Sequence, residues 1–398
     1  MQPKVSVCIP VYNVAEFLTS CLSSVTSQTL ADIEIICVED ASTDNSDKIL
    51  REYAKKDSRI KVIWHEKNTG GVKARKDAIL ASSGEYIMFL DSDDELFSNA
   101  CEKAYEEIKS NNVDILQFGT LVINYTSNPK RGLWFWEPYI GKLENENIAY
   151  TCFVENKFGW SVWNKIYNGE KIRNCCQYIS DNYIVMYDDM YLNFVFFYFL
   201  NTFFGIEDKL YKYNLGIGVS DTDAKLPMPV YKARIDCKAA YDATKAFLEN
   251  RDRKDSYYPI LTKVHDILIK ASVDCLRKQI TNEKMNEGLQ YLLAVWGYED
   301  FVEFLSQERK EKDGTIKKLK KENLTLKKKS EELKKKIVVK DSKIKEIQQS
   351  NSVLLKELKK SNAIIKRLKQ SYSFRIGRII TFVPRVIRDL RNGRSSKF

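Results

Sequence analysis

The sequence predicts an α/β protein: a mainly parallel sheet with helices on both faces, followed by a helical region and a long coiled coil. Three observations lead to this fold class. Strand-like and helix-like segments alternate over the first 120 residues, which is the order of a parallel sheet with crossover helices. Residues 120–220 are less regular, and spaced apolar positions in residues 228–306 then predict a small helical region. From Ile316 a heptad pattern continues without a slip for eight heptads.

The alternating region yields five strands and four helices. The predicted strands are Val5–Val11, Ile33–Glu39, Ile60–His65, Tyr86–Leu90 and Asp114–Gly119, and the predicted helices are Glu16–Ser27, Asn45–Lys56, Gly71–Ser82 and Asn99–Ser110. Ligands of such sheets bind outside the carboxyl ends of the strands. Asn13, Asp40 and Asp91 each follow a strand, so we expect them at one edge of the sheet.

A long apolar run covers residues 190–206. It contains polar residues and is shorter than the roughly 20 residues that cross a bilayer. The run therefore predicts a buried helix.

The segment YIMFLDSDDEL places four acids directly after a strand, at Asp91, Asp93, Asp94 and Glu95. Carboxylates this close repel one another unless a cation lies among them. Magnesium or manganese is commonly held by one or two carboxylates together with substrate phosphates. The alternative is an acidic helix N-terminus capped by Ser98. The segment alone does not decide between a metal site and a helix cap.

Composition places the chain among globular proteins of a reducing compartment. With 398 residues and 44% hydrophobic residues it can form two or three domains with a sizeable core. Its nine cysteines include no C-x-x-C pair, which indicates buried thiols and predicts a cytoplasmic location.

Charge is distributed unevenly along the chain. Residues 305–398 contain 29 Lys and Arg against 10 Asp and Glu, although the whole chain has a net charge of only +10. The body before residue 305 is therefore acidic. An anionic membrane or a nucleic acid is a candidate partner for the basic C-terminal part only.

The heptad positions indicate a coiled coil within residues 307–371. Eleven of 16 core positions are apolar, in the series Ile316, Leu319, Asn323, Leu326, Ser330, Leu333, Ile337, Lys340, Ile344, Ile347, Asn351, Leu354, Leu358, Ser361, Ile365 and Leu368. Asn323 and Asn351 both occupy a positions, which favours a parallel, in-register homodimer. The alternative is a single solvated charged helix, which would not need the apolar seam.

The tail, residues 372–398, alternates arginines with apolar residues. This pattern is typical of a basic amphipathic segment that lies in an anionic membrane interface. RNA binding is the second interpretation, and we consider a nucleic-acid partner less favoured.

Four segments occur in the order VSVCIPVYNVAEFLTSCLSSVTSQTL, IICVEDASTDNS, NTGGVKARKDAILASSGEYIMFLDSDDEL and YDDMYL. Together they resemble a family-2 glycosyltransferase of the GT-A fold over roughly residues 3–215. The resemblance implies that Pro10 and Tyr12 shape the nucleobase pocket, that Asp40 hydrogen-bonds the nucleobase and that Arg75 contacts the nucleotide. It also implies that Asp91 and Asp93 are the acids of a D-x-D motif, with Asp93 as the metal ligand. Asp189 would be the catalytic base. This chain departs from the family pattern at Glu39, Ala41, Lys76, Asp77 and Asp188.

Structural alternatives exist for some of these residues. Asp189 could instead cap a helix beginning near Met190, and Arg75 could be a surface residue. His65 and His265 lack acids or cysteines at ligand spacing, so we interpret both as ordinary histidines rather than metal ligands.

The resemblance and the patterns together predict an inverting glycosyltransferase, hexosyl- or N-acetylhexosaminyl-type, that uses Mn²⁺ or Mg²⁺. Its donor would be a nucleotide sugar, a UDP-sugar by preference, and its acceptor a surface-glycan or lipid-linked hydroxyl. Residues 1–220 would form the catalytic domain, 221–306 a helical region, 307–371 the coiled coil and 372–398 the membrane-binding tail on the inner face of the cytoplasmic membrane. The alternative is a membrane-tethered scaffold with a degenerate catalytic domain, but Asp91, Asp93 and Asp189 favour the enzyme.

Overall fold

The computed structural model describes residues 2–125, 137–216, 225–249 and 251–370. Within these ranges, the residues up to Gln307 belong to one compact unit and those from Glu308 onward to a second. The predicted membrane-binding tail lies outside the described residues.

The N-terminal half-sheet follows the predicted order closely. Its elements are β1 (Val5–Val11), α1 (Ala15–Thr26), β2 (Ile33–Glu39), α2 (Ser46–Lys56), β3 (Ile60–Trp64), α3 (Gly71–Ala81) and β4 (Tyr86–Phe89). β1 pairs in parallel with both β2 and β4, and β2 pairs in parallel with β3. These strands are almost wholly apolar because helices cover both faces. Every predicted boundary in this part is correct to within one residue.

The second half of the sheet is mixed. It contains β5 (Glu95–Leu96), α4 (Ala100–Asn111), β6 (Ile115–Asn124), β7 (Gly141–Glu144), α5 (Glu146–Ala149), β8 (Lys165–Asn168), α6 (Gly169–Cys175), α7 (Asp188–Phe199) and β9 (Thr202–Leu215). The strand order is β3-β2-β1-β4-β8-β6-β9-β5, with β7 also paired to β9. β8 is antiparallel to both β4 and β6. The predicted α/β fold class is confirmed, although β5, β7, β8 and β9 were not predicted.

The apolar run at residues 190–206 is only partly the buried helix that was predicted. The helix α7 ends at Phe199, and the strand β9 begins at Thr202. Nine of the twelve α7 residues are buried. A helix and a strand that are both buried have the same continuous apolar composition, so periodicity alone could not locate the change.

Helices complete the first unit. They are α8 (Met228–Ile235), α9 (Lys238–Leu248), α10 (Lys254–Gln279), α11 (Met285–Trp296) and the start of α12 (Tyr298–Gln370). The Tyr257 hydroxyl of α10 donates a hydrogen bond to the Phe197 carbonyl at 2.9 Å, and the Tyr257 ring packs edge-on against Phe194. α10 is therefore anchored on α7, which begins at the candidate site.

The helix α12 includes the predicted coiled-coil seam. Six seam residues with described side chains are exposed apolar residues: Leu326, Leu333, Ile344, Ile347, Leu354 and Leu358. Among the described helices, none is long and apolar enough to span a bilayer. All nine cysteines are buried free thiols, as predicted.

Candidate active site

A cavity of about 790 Å³ opens at the carboxyl ends of β1, β2 and β4. Its lining includes all seven residues singled out from the sequence: Pro10, Tyr12, Asp40, Arg75, Asp91, Asp93 and Asp189. Parallel strands end at the same edge of a sheet, which brings together groups that are distant in sequence. Asn13, expected at the same edge, has a local role: its side-chain oxygen accepts from the Thr43 amide at 2.7 Å.

Arg75 lies among three carboxylates. Its guanidinium donates to Asp188 in a very short contact and to Asp91 at 2.6 Å, and it lies 3.6 Å from Asp189. The Arg75 side chain is only 7% exposed, which excludes the surface alternative. One buried cation thus compensates three acids, and the cluster retains excess negative charge.

Two glycines at the start of α3 allow this arrangement. A Cβ at Gly71 would lie 2.2 Å from an Asp188 carboxylate oxygen and 2.9 Å from the Arg75 guanidinium. Gly70 has a φ of 87°, which favours glycine, and its amide donates to Asp40. Any side chain at residue 71 would therefore displace the Arg75–Asp188 pair.

Burial shifts the acids of this cluster. It raises the pKa of Asp189 to about 8, against the opposing effect of Arg75. Burial likewise raises the pKa of Asp188, again opposed by Arg75. Carboxyl groups with raised pKa values inside a cleft are typical of acid–base sites.

The two oxygens of Asp189 have different surroundings, and Oδ1 faces the Arg75 guanidinium at 3.6 Å. The Val162 amide donates to Asp189 Oδ2 at 3.2 Å. Oδ1 is buried and has no hydrogen-bond partner among the described residues. The helix begins at Asp188 with Tyr187 as its N-cap residue, so Asp189 is not the cap that the alternative interpretation required. Tyr187 adopts a left-handed φ of 60°, a strained conformation at the entry to the site.

Asp40 is fixed by a set of donors that the sequence analysis did not assign. Its carboxylate accepts hydrogen bonds from the Thr69 amide and hydroxyl and from the Gly70 amide, and it lies 2.7 Å from His65 Nδ1. The other ring nitrogen of His65 lies 3.1 Å from Asp77. His65 therefore connects Asp40 to α3 through its two ring nitrogens. Its position directly after β3 is the sequence feature that could have indicated a role at the site.

The four acids after β4 do not act as one group. Asp94 is buried, accepts from the Tyr211 hydroxyl at 2.8 Å and from the Asn214 amide at 2.7 Å, and Glu95 pairs with Lys212. Burial raises the pKa of Asp94 well above its usual value. Two of the four acids thus attach the loop to β9. Asp91 and Asp93 remain on the cavity wall.

These two carboxylates suit a metal that the substrate helps to bind. Within the described ranges, no group of three or more His, Cys, Asp or Glu side chains could hold an ion by itself. Magnesium and manganese are often held by one or two carboxylates, with phosphate oxygens and water completing the shell. Two cavity-facing carboxylates are therefore compatible with a divalent ion whose remaining ligands come from outside the chain.

One wall of the cavity comes from the helical region, to which the sequence analysis assigned no chemistry. Arg234 of α8 and Asp274, Lys278 and Gln279 of α10 line the cavity. Arg234 donates to the Gln279 side chain at 2.8 Å, and Lys278 pairs with Asp274. No local motif marks these residues. Only the packing of α10 on α7 brings them to the site.

Comparison with known proteins finds a family similarity in the region that contains most of the sheet. Residues 6–168 match the sequence model described as Glycosyl transferase family 2. The family 2 segment includes Asp40, Arg75, Asp91 and Asp93, while Asp189 lies beyond it.

Related proteins contain similar segments. The uncharacterized glycosyltransferase EpsJ of Bacillus subtilis is 36% identical over 179 residues, which are 43% of this chain and 49% of EpsJ. A poly(ribitol-phosphate) beta-glucosyltransferase of Bacillus spizizenii is 45% identical over 162 residues, 40% of this chain and 25% of that protein. The match thus covers half or less of these two relatives.

Among solved structures, residues 1–349 of S. aureus TarS in complex with UDP-GlcNAc align with 77% of this chain and 92% of that one. The identity is 20% and the TM-score 0.47.

Proposed function

We propose that the chain is an inverting, metal-dependent glycosyltransferase that moves a sugar from a nucleotide sugar, by preference a UDP-sugar, to an acceptor hydroxyl. The observation that carries the proposal is the position of Asp189. This carboxyl group has a raised pKa, its Oδ1 makes no hydrogen bond within the described residues, and it lines the same cavity as Asp40 and Asp93. The match of residues 6–168 to the model of glycosyl transferase family 2 supports the reaction class.

In this mechanism Asp189 Oδ1 takes the proton of the acceptor hydroxyl as its oxygen attacks the anomeric carbon. The new bond forms opposite the departing diphosphate, so the configuration inverts. The amide of Val162 holds the other oxygen of Asp189, which fixes the direction in which the base is presented. Arg75 orients Asp91, Asp188 and Asp189 relative to one another.

At the donor end, Asp40 and Tyr12 would form the nucleobase site. Asp40 Oδ2 accepts a hydrogen bond from the Gly70 amide, and a carboxylate oxygen can accept a second one, here from a base N–H. The Tyr12 ring is 45% exposed and offers a stacking face for the base. We expect nucleoside diphosphates that carry a donor N–H beside a carbonyl, such as UDP, to bind in preference to CDP.

A thermal-shift panel tests this choice of donor. The full chain should be stabilised by UDP and UDP-sugars in the presence of Mn²⁺, and less by CDP. Equal shifts with UDP and CDP would contradict the role of Asp40.

Asp93, with Asp91, would hold the metal. A divalent ion bound there would supply positive charge to the leaving diphosphate and orient it. Asp93 lines the cavity, whereas Asp94 and Glu95 are engaged with β9.

Asp93→Ala is expected to abolish metal-dependent transfer and to leave the fold intact, because it removes one ligand and also relieves carboxylate repulsion. Binding of Mn²⁺ in the presence of UDP, followed by EPR, should weaken at least about tenfold. Glu95→Gln is the matched control, since Glu95 belongs to the same acidic segment but pairs with Lys212. Undiminished turnover of the wild-type chain in EDTA would rule out the metal assignment.

We further propose that the chain is a dimer on the inner face of the cytoplasmic membrane, acting on a surface-glycan or lipid-linked acceptor. The exposed apolar seam of α12 supports self-association, because a dimer would remove those side chains from water. Two copies of the basic tail would then bind one membrane together and raise the affinity by effective concentration.

Truncation separates the two parts of this arrangement. A chain ending after Leu368 should remain a dimer but no longer float with anionic liposomes, and a chain ending before Ile316 should be a monomer. Sedimentation and liposome flotation are the measurements. Equal flotation of the full chain and both truncations, or a monomeric mass for the longer truncation, would refute the arrangement.

A further inference from the structure

Lys165 is a buried lysine that the proposed mechanism does not use. It lies on β8, its side chain is fully buried, and Nζ donates to the Gly159 carbonyl at 3.0 Å, the Ser161 carbonyl at 2.6 Å and Asn164 Oδ1 at 2.8 Å. A buried ammonium is costly unless its donors are paired. Here all three N–H groups have acceptors, and all three acceptors belong to the loop of residues 159–164.

This loop, which we call the 159–164 loop, contacts the candidate base directly. The Val162 amide at its centre donates to Asp189 Oδ2 at 3.2 Å. Trp160, from the same loop, lines the cavity, and its carbonyl accepts from Asn193 of α7 at 2.5 Å. The loop thus presents one backbone donor and one aromatic ring to the site, while its Gly159 and Ser161 carbonyls accept from Lys165.

We propose that Lys165 is a positioning residue for Asp189: its ammonium fixes the 159–164 loop, which keeps the Val162 amide on Asp189 and Trp160 on the cavity wall. The catalytic consequence rests on the proposed function, whereas the positioning of Asp189 is a property of the folded chain and can be measured without a substrate. Lys165 touches no reacting group, so it acts on Asp189 through the loop and, at longer range, through its positive charge.

The charged groups around Asp189 make the positioning measurable. They are Arg75 from α3, Asp91 after β4, Asp188 on α7 and Lys165 on β8. Burial lowers the pKa of Lys165 to about 8, and the charge of Asp189 acts in the opposite direction. Three acceptors around Nζ also favour the ammonium form. Loss of this positive charge and displacement of the Val162 amide both disfavour ionised Asp189, so both raise its pKa.

The experiment compares the full-length wild type with Lys165→Met, which keeps the length of the side chain but removes its charge and donors. Carboxyl ¹³C NMR of the substrate-free protein, with Asp189 assigned through Asp189→Asn, gives the titration midpoint of Asp189. We expect this midpoint to rise by about one pH unit. Turnover should fall roughly 10- to 100-fold, because a small displacement of a base is enough for such a loss, and the donor Kd should stay within about threefold, since the donor site lies on other strands.

The matched control is Lys76→Met. Lys76 is also buried and donates to a backbone carbonyl, that of Ile179, at 2.8 Å, but it does not line the cavity. Its loss should lower the melting temperature without moving the Asp189 midpoint. If Lys165→Met fails to fold, Lys165→Gln, which keeps two N–H donors, is measured in the same way.

The outcomes separate this inference from the proposed function. A shifted midpoint supports the positioning role even if no nucleotide sugar is turned over, a result that would contradict only the proposed function. An unmoved Asp189 midpoint in the folded Lys165 variant would overturn the positioning role whether or not the wild type is active, because Lys165 would then contribute stability alone.

Discussion

Asp189→Asn is expected to lower turnover by about 100-fold or more and to leave the affinity for the donor within about threefold. Loss of a positioned general base commonly has this effect on rate. Asparagine keeps the size of the side chain, and its carbonyl oxygen can still accept from the Val162 amide. It cannot take the acceptor proton. Donor Kd is measured by calorimetry, and turnover by release of nucleoside diphosphate.

The variant should also be no less stable than the wild type at pH 9. Burial holds the pKa of folded Asp189 at about 8, above its value in an unfolded chain. The group therefore favours folding at low pH, and that contribution is lost as the pH rises through 8. Asparagine avoids the buried charge. For the same reason, wild-type kcat/KM should rise with pH up to about 8.

Asp181→Asn is the matched control for this variant. Asp181 is 70% exposed, pairs with Lys76 and does not line the cavity, so its turnover should be unchanged. A weakened donor affinity with full turnover in Asp189→Asn would contradict the role of base.

Arg75→Met is expected to destabilise the chain by about 3–5 kcal/mol, the usual cost of removing one member of a buried ion pair. Arg75 is the cation that compensates Asp91, Asp188 and Asp189. Without it, carboxyl groups remain close together in a buried site with no compensating charge, and the pKa values of Asp188 and Asp189 rise further. Urea unfolding at fixed pH measures the loss of free energy.

The loss of stability should depend on pH. Raised pKa values in the folded state mean that the folded protein binds more protons than the unfolded chain, so the variant regains stability as the pH falls from 8 to 5. Arg59→Met is the control. Arg59 pairs with Asp57 in a partly exposed site and should cost about 1 kcal/mol or less. A loss at Arg75 as small as that at Arg59 would show that the cluster needs no compensating charge.

The sequence was sufficient for the parts of the fold that depend on local patterns. β1 to β4 and α1 to α4 are marked by alternating apolar runs and helical spacing. Each of these four strands pairs in parallel with at least one other of them. β8 has only four residues and is inserted between β4 and β6 in antiparallel orientation. Such a short strand has little periodicity of its own, and its pairing depends on contacts far away in sequence.

The candidate site, like the fold, could be predicted from the sequence only in part. The rule that ligands bind at the carboxyl ends of strands correctly grouped Asp40 and Asp91, since both follow parallel strands. It could not predict that Asp94 bonds to Tyr211, that His65 holds Asp40, or that Lys165 supports the loop at Asp189. These contacts depend on how side chains pack, and residue spacing does not encode them.

The proposal that this cavity transfers sugar from a nucleotide donor is tested most directly by one measurement: UDP release from UDP-sugars by the wild-type chain with Mn²⁺, compared with Asp189→Asn and Asp93→Ala under the same conditions. The mechanism predicts release by the wild type, stimulated by an acceptor glycan or lipid, and a loss of about 100-fold or more in both variants. Equal release by the wild type and Asp189→Asn, or no release from any nucleotide sugar, would contradict it.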